Sequence, residues 1–266
     1  MKNIAVIGCG NMGYALLCGL LKNEGFKKED ITCADRIEKS LERAKLLGVR
    51  TFFDARDAVK GADTVILAVK PNALESLAGE ISQFMKEDAL IVSILAGKTT
   101  KALEGFFGDK RKIVRVMPNT PALVGCGMSG LCGNENVTDS ELDGVRELLS
   151  GFGLAGIVRE ELMDCVTGIS GSGPAYVYMF IEGLMKAGIE NGMSEEEARL
   201  FSAQTVKGAA QMVLSSSESV EQLRINVCSP GGTTIEAVDV FNRLGLEGII
   251  KEAVAACIKK SKLLSK

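Results

Sequence analysis

The chain has 266 residues, of which 46% are hydrophobic, which is enough for one large domain or two ordinary ones with a substantial core. Lysine and arginine number 31 against 34 aspartate and glutamate, and the resulting net charge of −3 gives no electrostatic reason to expect nucleic acid or an anionic membrane as a partner. The chain has no histidine, which excludes His–Asp hydride-transfer dyads, Ser–His–Asp triads and H-E-x-x-H zinc sites.

The first part of the chain alternates short apolar runs with amphipathic segments. The runs predict strands at 4–7, 31–34, 64–69, 89–95 and 113–117. The segments between them predict helices that include 11–22 and 38–47. Because strands that are apolar throughout are buried on both faces, this pattern favours an α/β domain over residues 1–160, with a parallel sheet covered by helices.

After about residue 160 the strand pattern fades and the chain is predicted to be helical. Helices are expected at 174–190, after Ser194 and at 246–264, and S/T-x-x-E capping boxes are predicted at 194–197 and 233–236. The second domain, residues 161–266, is apolar and small for a core that stands alone. We therefore expect it to pack against a second chain.

The eight cysteines are scattered, with no C-x-x-C pair. In a chain of this length they predict free thiols in a reducing compartment, and their spacing offers no thiolate metal site. The N-terminus runs directly into an apolar strand rather than a signal peptide. The longest uncharged stretch, 165–181, is too short and too interrupted by glycines to span a membrane. We expect a cytoplasmic protein.

A complete G-x-G-x-x-G follows the first predicted strand and opens the first helix, as Gly8-Cys9-Gly10-Asn11-Met12-Gly13. Such glycines permit a tight turn, close approach of a diphosphate and close packing of helix on strand. Asp35 lies 22 residues beyond Gly13, at the end of the second strand, where an acid meets the adenosine ribose. The segment therefore predicts dinucleotide binding.

Two adjacent residues give opposite indications about the dinucleotide. Asp35 favours a free 2′-hydroxyl group, whereas Arg36 could pair with a 2′-phosphate. Arg36 could equally be a solvated surface charge. The choice between NAD and NADP stays open at this point.

Three further segments end predicted strands at the carboxyl edge of the sheet, where ligands bind in such folds. They are Ala68-Val69-Lys70-Pro71, Ala96-Gly97 and Met117-Pro118-Asn119-Thr120-Pro121. In the last of these the two prolines fix the backbone and leave Asn119 and Thr120 to face the cleft, although a purely structural turn is an equal alternative.

The second half of the chain contains a second glycine-rich segment. It reads Asn226-Val227-Cys228-Ser229-Pro230-Gly231-Gly232-Thr233-Thr234. Its exposed N–H donors and hydroxyl groups suit a substrate carboxylate, but a turn that merely starts a helix is equally compatible. The same ambiguity applies to Gly171-Ser172-Gly173-Pro174.

Taken together, these segments resemble pyrroline-5-carboxylate reductase over essentially the full chain. The blocks that carry the resemblance are the segment from Ile7 to Gly13, Ala68-Val69-Lys70-Pro71, Met117-Pro118-Asn119-Thr120-Pro121, Gly171-Ser172-Gly173-Pro174-Ala175, and Val227-Cys228-Ser229-Pro230-Gly231-Gly232-Thr233-Thr234. The last block looks like the family signature. Five blocks in the right order are much stronger evidence than any one of them.

The resemblance implies a Rossmann-type doubly wound sheet, followed by an all-α dimerisation domain like the C-terminal domain of 6-phosphogluconate dehydrogenase. It implies a homodimer that assembles further into a decamer. The implied cofactor residues are Gly8, Cys9, Gly10, Asn11, Met12, Gly13, Asp35, Arg36, Ala55, Ala68, Val69, Lys70, Pro71, Ala96, Gly97 and Asn119. The implied substrate residues are Asn226, Val227, Ser229, Gly231, Gly232, Thr233 and Thr234.

The implied activity is the NAD(P)H-dependent reduction of 1-pyrroline-5-carboxylate to L-proline, with Thr234 as the catalytic residue beside the ring nitrogen. Family members often have a small polar residue where Asp35 stands, some have Asn near Ala55, and a common His-Pro pair is replaced by Ser219-Val220. These differences leave NADP(H) as the expected cofactor and NAD(H) as a second possibility.

Two alternatives remain open at this stage. One is a 3-hydroxyacid dehydrogenase of the same build, although the helix after Gly171 offers no lysine before Lys186. The other is a redox sensor that binds a dinucleotide without catalysis, which leaves the segment from Ser229 to Thr234 without a role.

Overall fold

The computed structural model describes residues 2–23 and 25–265. The strands of these residues are Ile4–Ile7 (β1), Ile31–Ala34 (β2), Arg50–Phe52 (β3), Thr64–Leu67 (β4), Leu90–Ser93 (β5), Lys112–Met117 (β6), Gly127–Gly133 (β7) and Gly153–Ile157 (β8). The α-helices are Asn11–Lys22 (α1), Glu38–Leu46 (α2), Ala55–Val59 (α3), Leu74–Ile81 (α4), Thr100–Phe107 (α5), Asp139–Ser150 (α6), Met163–Val166 (α7), Gly173–Glu190 (α8), Glu195–Ser215 (α9), Val220–Val227 (α10), Thr233–Arg243 (α11) and Leu246–Leu264 (α12).

The strands form one sheet in the order β3-β2-β1-β4-β5-β6-β7-β8. All neighbouring pairs are parallel except β6 and β7, which are antiparallel. After β3 the chain returns across β1 to begin the other half of the sheet at β4. This change of direction is the topological switch point at which open α/β sheets bind ligands, and it lies at the carboxyl end of β1.

Both faces of the sheet are covered, as the apolar strands predict. Successive side chains of a strand point to opposite faces, and β1 shows this directly. Ile4 and Val6 belong to a core cluster with side chains from α1, α2 and α6. Ala5 and Ile7 belong to a second cluster with side chains from α3, α4 and α5. The predicted doubly wound α/β fold is therefore confirmed.

The predicted strands and helices of this part are present, with ends that differ by at most two residues. Three strands were not predicted. β3 is short and only half buried, and β8 lies at the edge of the sheet. β7 contains three glycines, of which Gly130 is required for packing, since a Cβ there would lie 2.7 Å from Val166. Glycine-rich strands carry little side-chain pattern, so periodicity does not reveal them.

The chain divides into two compact units. Unit 1 comprises the residues up to Ser172 together with those from Cys257 onward, and unit 2 comprises Gly173–Ala256. This division follows from which residues contact one another in the folded chain, and it does not test where the predicted domains begin and end. The predicted boundary between residues 160 and 161 stays a prediction.

Unit 2 is helical, as predicted. Gly188 near the end of α8 allows close packing on the following helix, since a Cβ there would lie 3.4 Å from that of Ala198 on α9. Helices α8, α10 and α11 contain no buried residue among those described. Large apolar side chains are instead exposed, with Met179 at 70%, Leu200 at 65% and Leu214 at 68% of their surface. Nowhere in the described chain is there a helix long and apolar enough to cross a bilayer.

Candidate active site

The three glycines of the β1–α1 loop have different neighbours. Gly8 has φ of +99°, and a Cβ there would lie 2.6 Å from the Ala68 carbonyl oxygen. At Gly13 a Cβ would lie 2.0 Å from the Gly8 carbonyl oxygen. At Gly10 a Cβ would meet no atom within 4 Å. Packing therefore requires glycine at the first and third positions, whereas the middle position opens on free space.

The start of α1 offers donors to an anion. Its N-cap residue is Gly10, and no side chain caps the first turn. The first amides of a helix have no partner within the helix, and the positive end of its dipole attracts negative charge. Asn11 and Gly10 are exposed here, Met12 is half-buried, and Gly13 is buried. The open space at Gly10 together with these amides fits the diphosphate of a dinucleotide.

Asp35 is joined directly to this loop. Its Oδ2 accepts a hydrogen bond from the Cys9 N–H at 2.6 Å, and its Oδ1 accepts one from the Ile37 N–H at 2.8 Å. A carboxylate has about four acceptor positions, so the group can still accept from two hydroxyls. The Asp35 carboxylate is therefore oriented beside the glycine-rich segment, and its predicted contact with a ribose stays a prediction.

Cys9 itself faces the core rather than the open side of the loop. It is buried beside Cys33 of β2, and both belong to the cluster beneath α1. A hydrogen bond to Cys9 and burial raise the pKa of the Cys33 thiol, while the same bond lowers that of Cys9. The Cys9 side chain therefore serves packing, and its backbone N–H serves the loop.

The segments after β4 and β5 lie at the same edge of the sheet as the loop. Ala68 contacts Gly8, and Val69 is half-buried behind Lys70 and Pro71, which are exposed. Ala96 is exposed after β5. Gly97 has φ of +72°, and a Cβ there would lie 3.0 Å from the Leu264 carbonyl oxygen. Packing against the end of α12 thus accounts for this glycine.

Charged residues follow the carboxyl ends of β2 and β3. Arg36 forms an ion pair with Glu80 of α4 at 2.7 Å, a contact that the sequence pattern does not indicate. Asp54 caps α3, whose first residue is Ala55, and pairs with Arg56 at 2.5 Å. Hydrogen bonds from the Arg56 side chain and backbone lower the pKa of Asp54 to about 2.

Asn119, predicted to face the cofactor, has both ends of its amide engaged within the protein. Its Nδ2 donates to the Ser170 carbonyl at 3.0 Å, and its Oδ1 accepts from the Met128 N–H at 2.9 Å. The side chain is buried, with 8% of the residue exposed. This residue ties the turn after β6 to β7, and its contact with a cofactor stays a prediction.

The second glycine-rich segment, in unit 2, forms a tight turn that starts α11. The Gly232 N–H donates to the Ser229 carbonyl at 3.0 Å, and Gly231 has φ of +67°, which favours glycine. A Cβ at Gly232 would lie 2.3 Å from Ser229 Oγ. A side chain at position 232 would therefore require the Ser229 hydroxyl to move.

The capping box predicted at Thr233–Glu236 is wrong. The N-cap residue is Gly232, in extended backbone conformation, and no side chain caps the helix. The positive φ of Gly231 completes the turn one residue earlier than the pattern suggests, so Thr233 is already the first helical residue. The first amides of α11, including those of Thr233 and Thr234, are therefore left to a ligand or solvent.

Asn226 and Val227 end α10, the helix before this turn, and both are exposed. The Asn226 amide accepts from Gln222 at 2.7 Å and donates to Glu218 at 3.1 Å. Thr234 is half-buried in the first turn of α11. The predicted substrate residues are thus contiguous in space within unit 2. In the described residues no group of three or more Cys, Asp or Glu side chains could hold a metal ion.

Comparisons with known proteins agree with these features. Residues 160–264 match the family model described as pyrroline-5-carboxylate reductase dimerisation, and residues 3–97 match that of NADP oxidoreductase coenzyme F420-dependent. Pyrroline-5-carboxylate reductase of Escherichia coli K12 is 40% identical over 100% of this chain and 99% of the relative. The chain belongs to the pyrroline-5-carboxylate reductase family.

Solved structures support the same membership. The family member from Coxiella burnetii is similar with a TM-score of 0.95 and 36% identity, covering 100% of this chain and 99% of that one. The member from Plasmodium falciparum, solved with NADP bound, gives a TM-score of 0.88 and 33% identity, covering 100% and 98%. The predicted family and fold class are confirmed, and the dimerisation model shows that the C-terminal region is an oligomerisation region.

Proposed function

We propose that the chain catalyses the reduction of 1-pyrroline-5-carboxylate to L-proline with NAD(P)H as reductant, the final step of proline biosynthesis. One observation carries the proposal: α1 and α11 each begin at a glycine without a side-chain cap, one in each compact unit. Full-length likeness to members of the reductase family supports assigning these two helix starts to the two reactants.

Unit 1 is proposed to hold the dinucleotide. The free space at Gly10 and the first amides of α1 accommodate the diphosphate, and the Asp35 carboxylate accepts hydrogen bonds from the adenosine ribose. The segments that start at Ala68 and Ala96 border the same sheet edge. A bound reduced nicotinamide supplies the hydride, and the chain's own residues bind and orient the reactants.

Unit 2 is proposed to hold the substrate by its carboxylate. The amides of Thr233 and Thr234 and the positive end of the α11 dipole bind this anion, and the glycines at 231 and 232 let it approach the backbone. The Thr234 hydroxyl hydrogen-bonds to the ring nitrogen and holds the imine in one orientation. Ser229, Asn226 and Val227 border the same turn.

The composition of the chain suits this chemistry. A carbon–nitrogen double bond with a protonated nitrogen is already electrophilic, so the enzyme must position it more than activate it. A chain without histidine can therefore catalyse the reaction. The ring nitrogen takes up this proton from solvent, through the Thr234 hydroxyl, before the hydride is transferred to the ring carbon.

A spectrophotometric assay tests the proposal against both alternatives. Purified protein should consume NADH or NADPH when 1-pyrroline-5-carboxylate is added, and should form L-proline in equal amount. It should not reduce NAD or NADP with 3-hydroxyacids. Turnover of hydroxyacids alone would indicate a 3-hydroxyacid dehydrogenase, and dinucleotide binding without any turnover would indicate a sensor.

Substitution of Thr234 tests the assigned catalytic residue. Thr234→Val keeps the shape and removes the hydroxyl, and should lower kcat/KM by roughly ten- to a thousandfold, the range for one hydrogen bond made in the transition state. Thr234→Ser is the matched control, because it keeps the hydroxyl and should retain most of the activity. Equal activity of the Val and Ser variants would remove Thr234 from the mechanism.

We also propose that the chain is a homodimer through unit 2 and that dimers assemble into a decamer. The exposed apolar residues of α8 and α9 and the match to a dimerisation model support the dimer. Leu200→Glu should reduce the mass measured by light scattering to that of a monomer. Leu46→Glu, at an apolar residue of α2 that is 87% exposed, is the control and should leave the mass unchanged. A wild-type monomer would refute the proposal.

We further propose a cytoplasmic location and a domain boundary between residues 160 and 161. A cytoplasmic location is supported by eight free cysteines. A boundary between domains 1–160 and 161–266 is supported by the family model that begins at residue 160. Limited proteolysis of the assembled protein, with fragments sized by mass spectrometry, tests that boundary.

A further inference from the structure

The residues that follow Asp35 determine which dinucleotide the chain prefers, an inference that rests on the proposed use of NAD(P)H. Asp35 contacts the glycine-rich loop through the Cys9 N–H at 2.6 Å. The carboxylate is therefore placed where it would accept hydrogen bonds from the ribose of a dinucleotide whose diphosphate binds that loop. The next residue in the chain is a cation, Arg36.

Arg36 is held by an acidic residue from another helix. Its Nη2 donates to both carboxylate oxygens of Glu80, at 2.7 and 3.0 Å. The Ser76 hydroxyl, one turn earlier on α4, donates to the same carboxylate at 3.1 Å. Glu80 is thus oriented toward Arg36 by two partners, and its negative charge neutralises the guanidinium.

The second guanidinium of this region is neutralised in the same way. Arg56 donates through Nε and Nη2 to Asp54, at 2.9 and 2.5 Å. Asp54 and, more weakly, Asp57 and Glu80 raise the pKa of Arg56, so three carboxylates act on it. Each of the two guanidiniums in this region is therefore paired with a carboxylate.

The two cofactors differ at this position in a single group. A 2′-hydroxyl donates a hydrogen bond to the Asp35 carboxylate, whereas a 2′-phosphate with about −1.5 to −2 charges meets a carboxylate and a neutralised arginine. We infer that Glu80 is a specificity-determining residue, which holds Arg36 in an ion pair and so makes the chain favour NADH over NADPH.

Binding of two small nucleotides tests this without the imine substrate. Adenosine 5′-diphosphate and adenosine 2′,5′-bisphosphate are titrated into the assembled protein by calorimetry. Glu80→Gln keeps the shape of the side chain and releases the Arg36 charge. It should tighten binding of the 2′,5′-bisphosphate by about three- to tenfold and change the 5′-diphosphate by less than about twofold. Glu75→Gln, an equal charge change in the first turn of α4, is the control and should change neither.

A double variant assigns the gain to the released arginine. Arg36→Gln in the Glu80→Gln background should abolish the gain in 2′,5′-bisphosphate affinity. The ratio of kcat/KM for NADPH to that for NADH should follow the binding data in each variant. If Glu80→Gln and Glu75→Gln behave alike, or if the wild type binds the 2′,5′-bisphosphate more tightly, the inference is wrong.

Failure of the proposed function gives a different result. If the nucleotides bind and respond as expected but 1-pyrroline-5-carboxylate is not reduced, the reductase proposal falls and the role of Glu80 stands. If neither nucleotide binds, both are overturned.

Discussion

Replacing Gly10 or Gly13 by alanine should separate binding from folding within one loop. Gly10→Ala should weaken dinucleotide binding and leave stability nearly unchanged. Gly13→Ala should destabilise the protein. The two changes add the same methyl group three residues apart, so each is the control for the other.

The expected magnitudes follow from what each methyl group would meet. At Gly10 the backbone has φ of −63° and ψ of −168°, which alanine adopts, and no atom lies within 4 Å of a Cβ. Loss of an N-cap glycine lowers the free energy of unfolding by about 0.5–1 kcal/mol. Alanine also makes the unfolded chain stiffer, which raises the free energy of unfolding by about 0.4–1 kcal/mol and so offsets the loss. The midpoint of thermal unfolding should therefore move by less than about 4 °C.

Gly13 is the opposite case. Its Cβ would lie 2.0 Å from the Gly8 carbonyl oxygen, so the backbone of the loop or α1 must shift. Such overpacking costs about 3 kcal/mol, which corresponds to a fall of roughly 6–12 °C in Tm.

The affinity for the dinucleotide should change in the opposite order, with the larger loss in Gly10→Ala. A methyl group at Gly10 displaces the diphosphate from one or two charge-assisted hydrogen bonds, and affinity should fall by roughly ten- to a hundredfold. NADH fluorescence measures binding directly, because the chain has no tryptophan to interfere. Circular dichroism at fixed protein concentration gives Tm. Wild-type affinity in Gly10→Ala would refute the assignment of this loop to the diphosphate.

Three further predictions concern buried or bridging polar groups. Asn119→Ala should lower the free energy of unfolding by about 1–3 kcal/mol in urea titrations, because two backbone partners lose their bonds. Several hydrogen bonds, of which the one from Lys86 has the largest effect, lower the pKa of Asp63 to about 2. The stabilisation that the ionised Asp63 carboxylate gives the fold is therefore complete above about pH 4 and disappears as the pH falls toward 2. Asp63→Asn should therefore be less stable than wild type by about 1 kcal/mol at neutral pH and equal to it near pH 2, and a constant difference would contradict this. Glu160→Gln should lower the free energy of unfolding by about 3 kcal/mol in the same titrations, because Arg115, whose side chain is 5% exposed, loses its carboxylate partner. Glu161→Gln is the control and should leave the free energy of unfolding unchanged.

The glycine-rich loop and its acidic partner could be predicted because their signals are local. The spacing from Gly8 to Gly13 and the position of Asp35 after an apolar strand are enough to place both at one edge of a parallel sheet. The structure adds the direct bond between Asp35 and the Cys9 N–H. The local pattern thus predicts where the loop lies, whereas the open space at Gly10 is visible only in the folded structure.

Long-range pairings could not be predicted in the same way. Gly19 and Gly151 are far apart in sequence, yet a Cβ at Gly151 would lie 2.1 Å from the Gly19 carbonyl oxygen. The ion pair of Arg36 with Glu80 joins residues 44 positions apart. Glutamates are common on exposed helix faces, so nothing in the sequence distinguishes Glu80 from Glu75.

Helix starts show how one torsion angle overrides a pattern. The box at Ser194 forms as predicted, with reciprocal bonds to Glu197. The same pattern at Thr233 does not, because the positive φ of Gly231 brings Gly232 into the N-cap position. A side chain that capped α11 would compete with an incoming carboxylate for the same amides, so the unformed box is what a carboxylate site requires.

In unit 2 the sequence pattern predicts a helix but does not reveal which of its apolar side chains are exposed. The pattern predicted α8 correctly, but four consecutive residues, Val177, Tyr178, Met179 and Phe180, are all exposed. Consecutive positions of a helix point in different directions, so these side chains belong to no single apolar face. Large apolar side chains that are exposed together are typical of a surface that contacts another protein. The exposure of these residues in the single chain supports the proposed contact of unit 2 with a second chain.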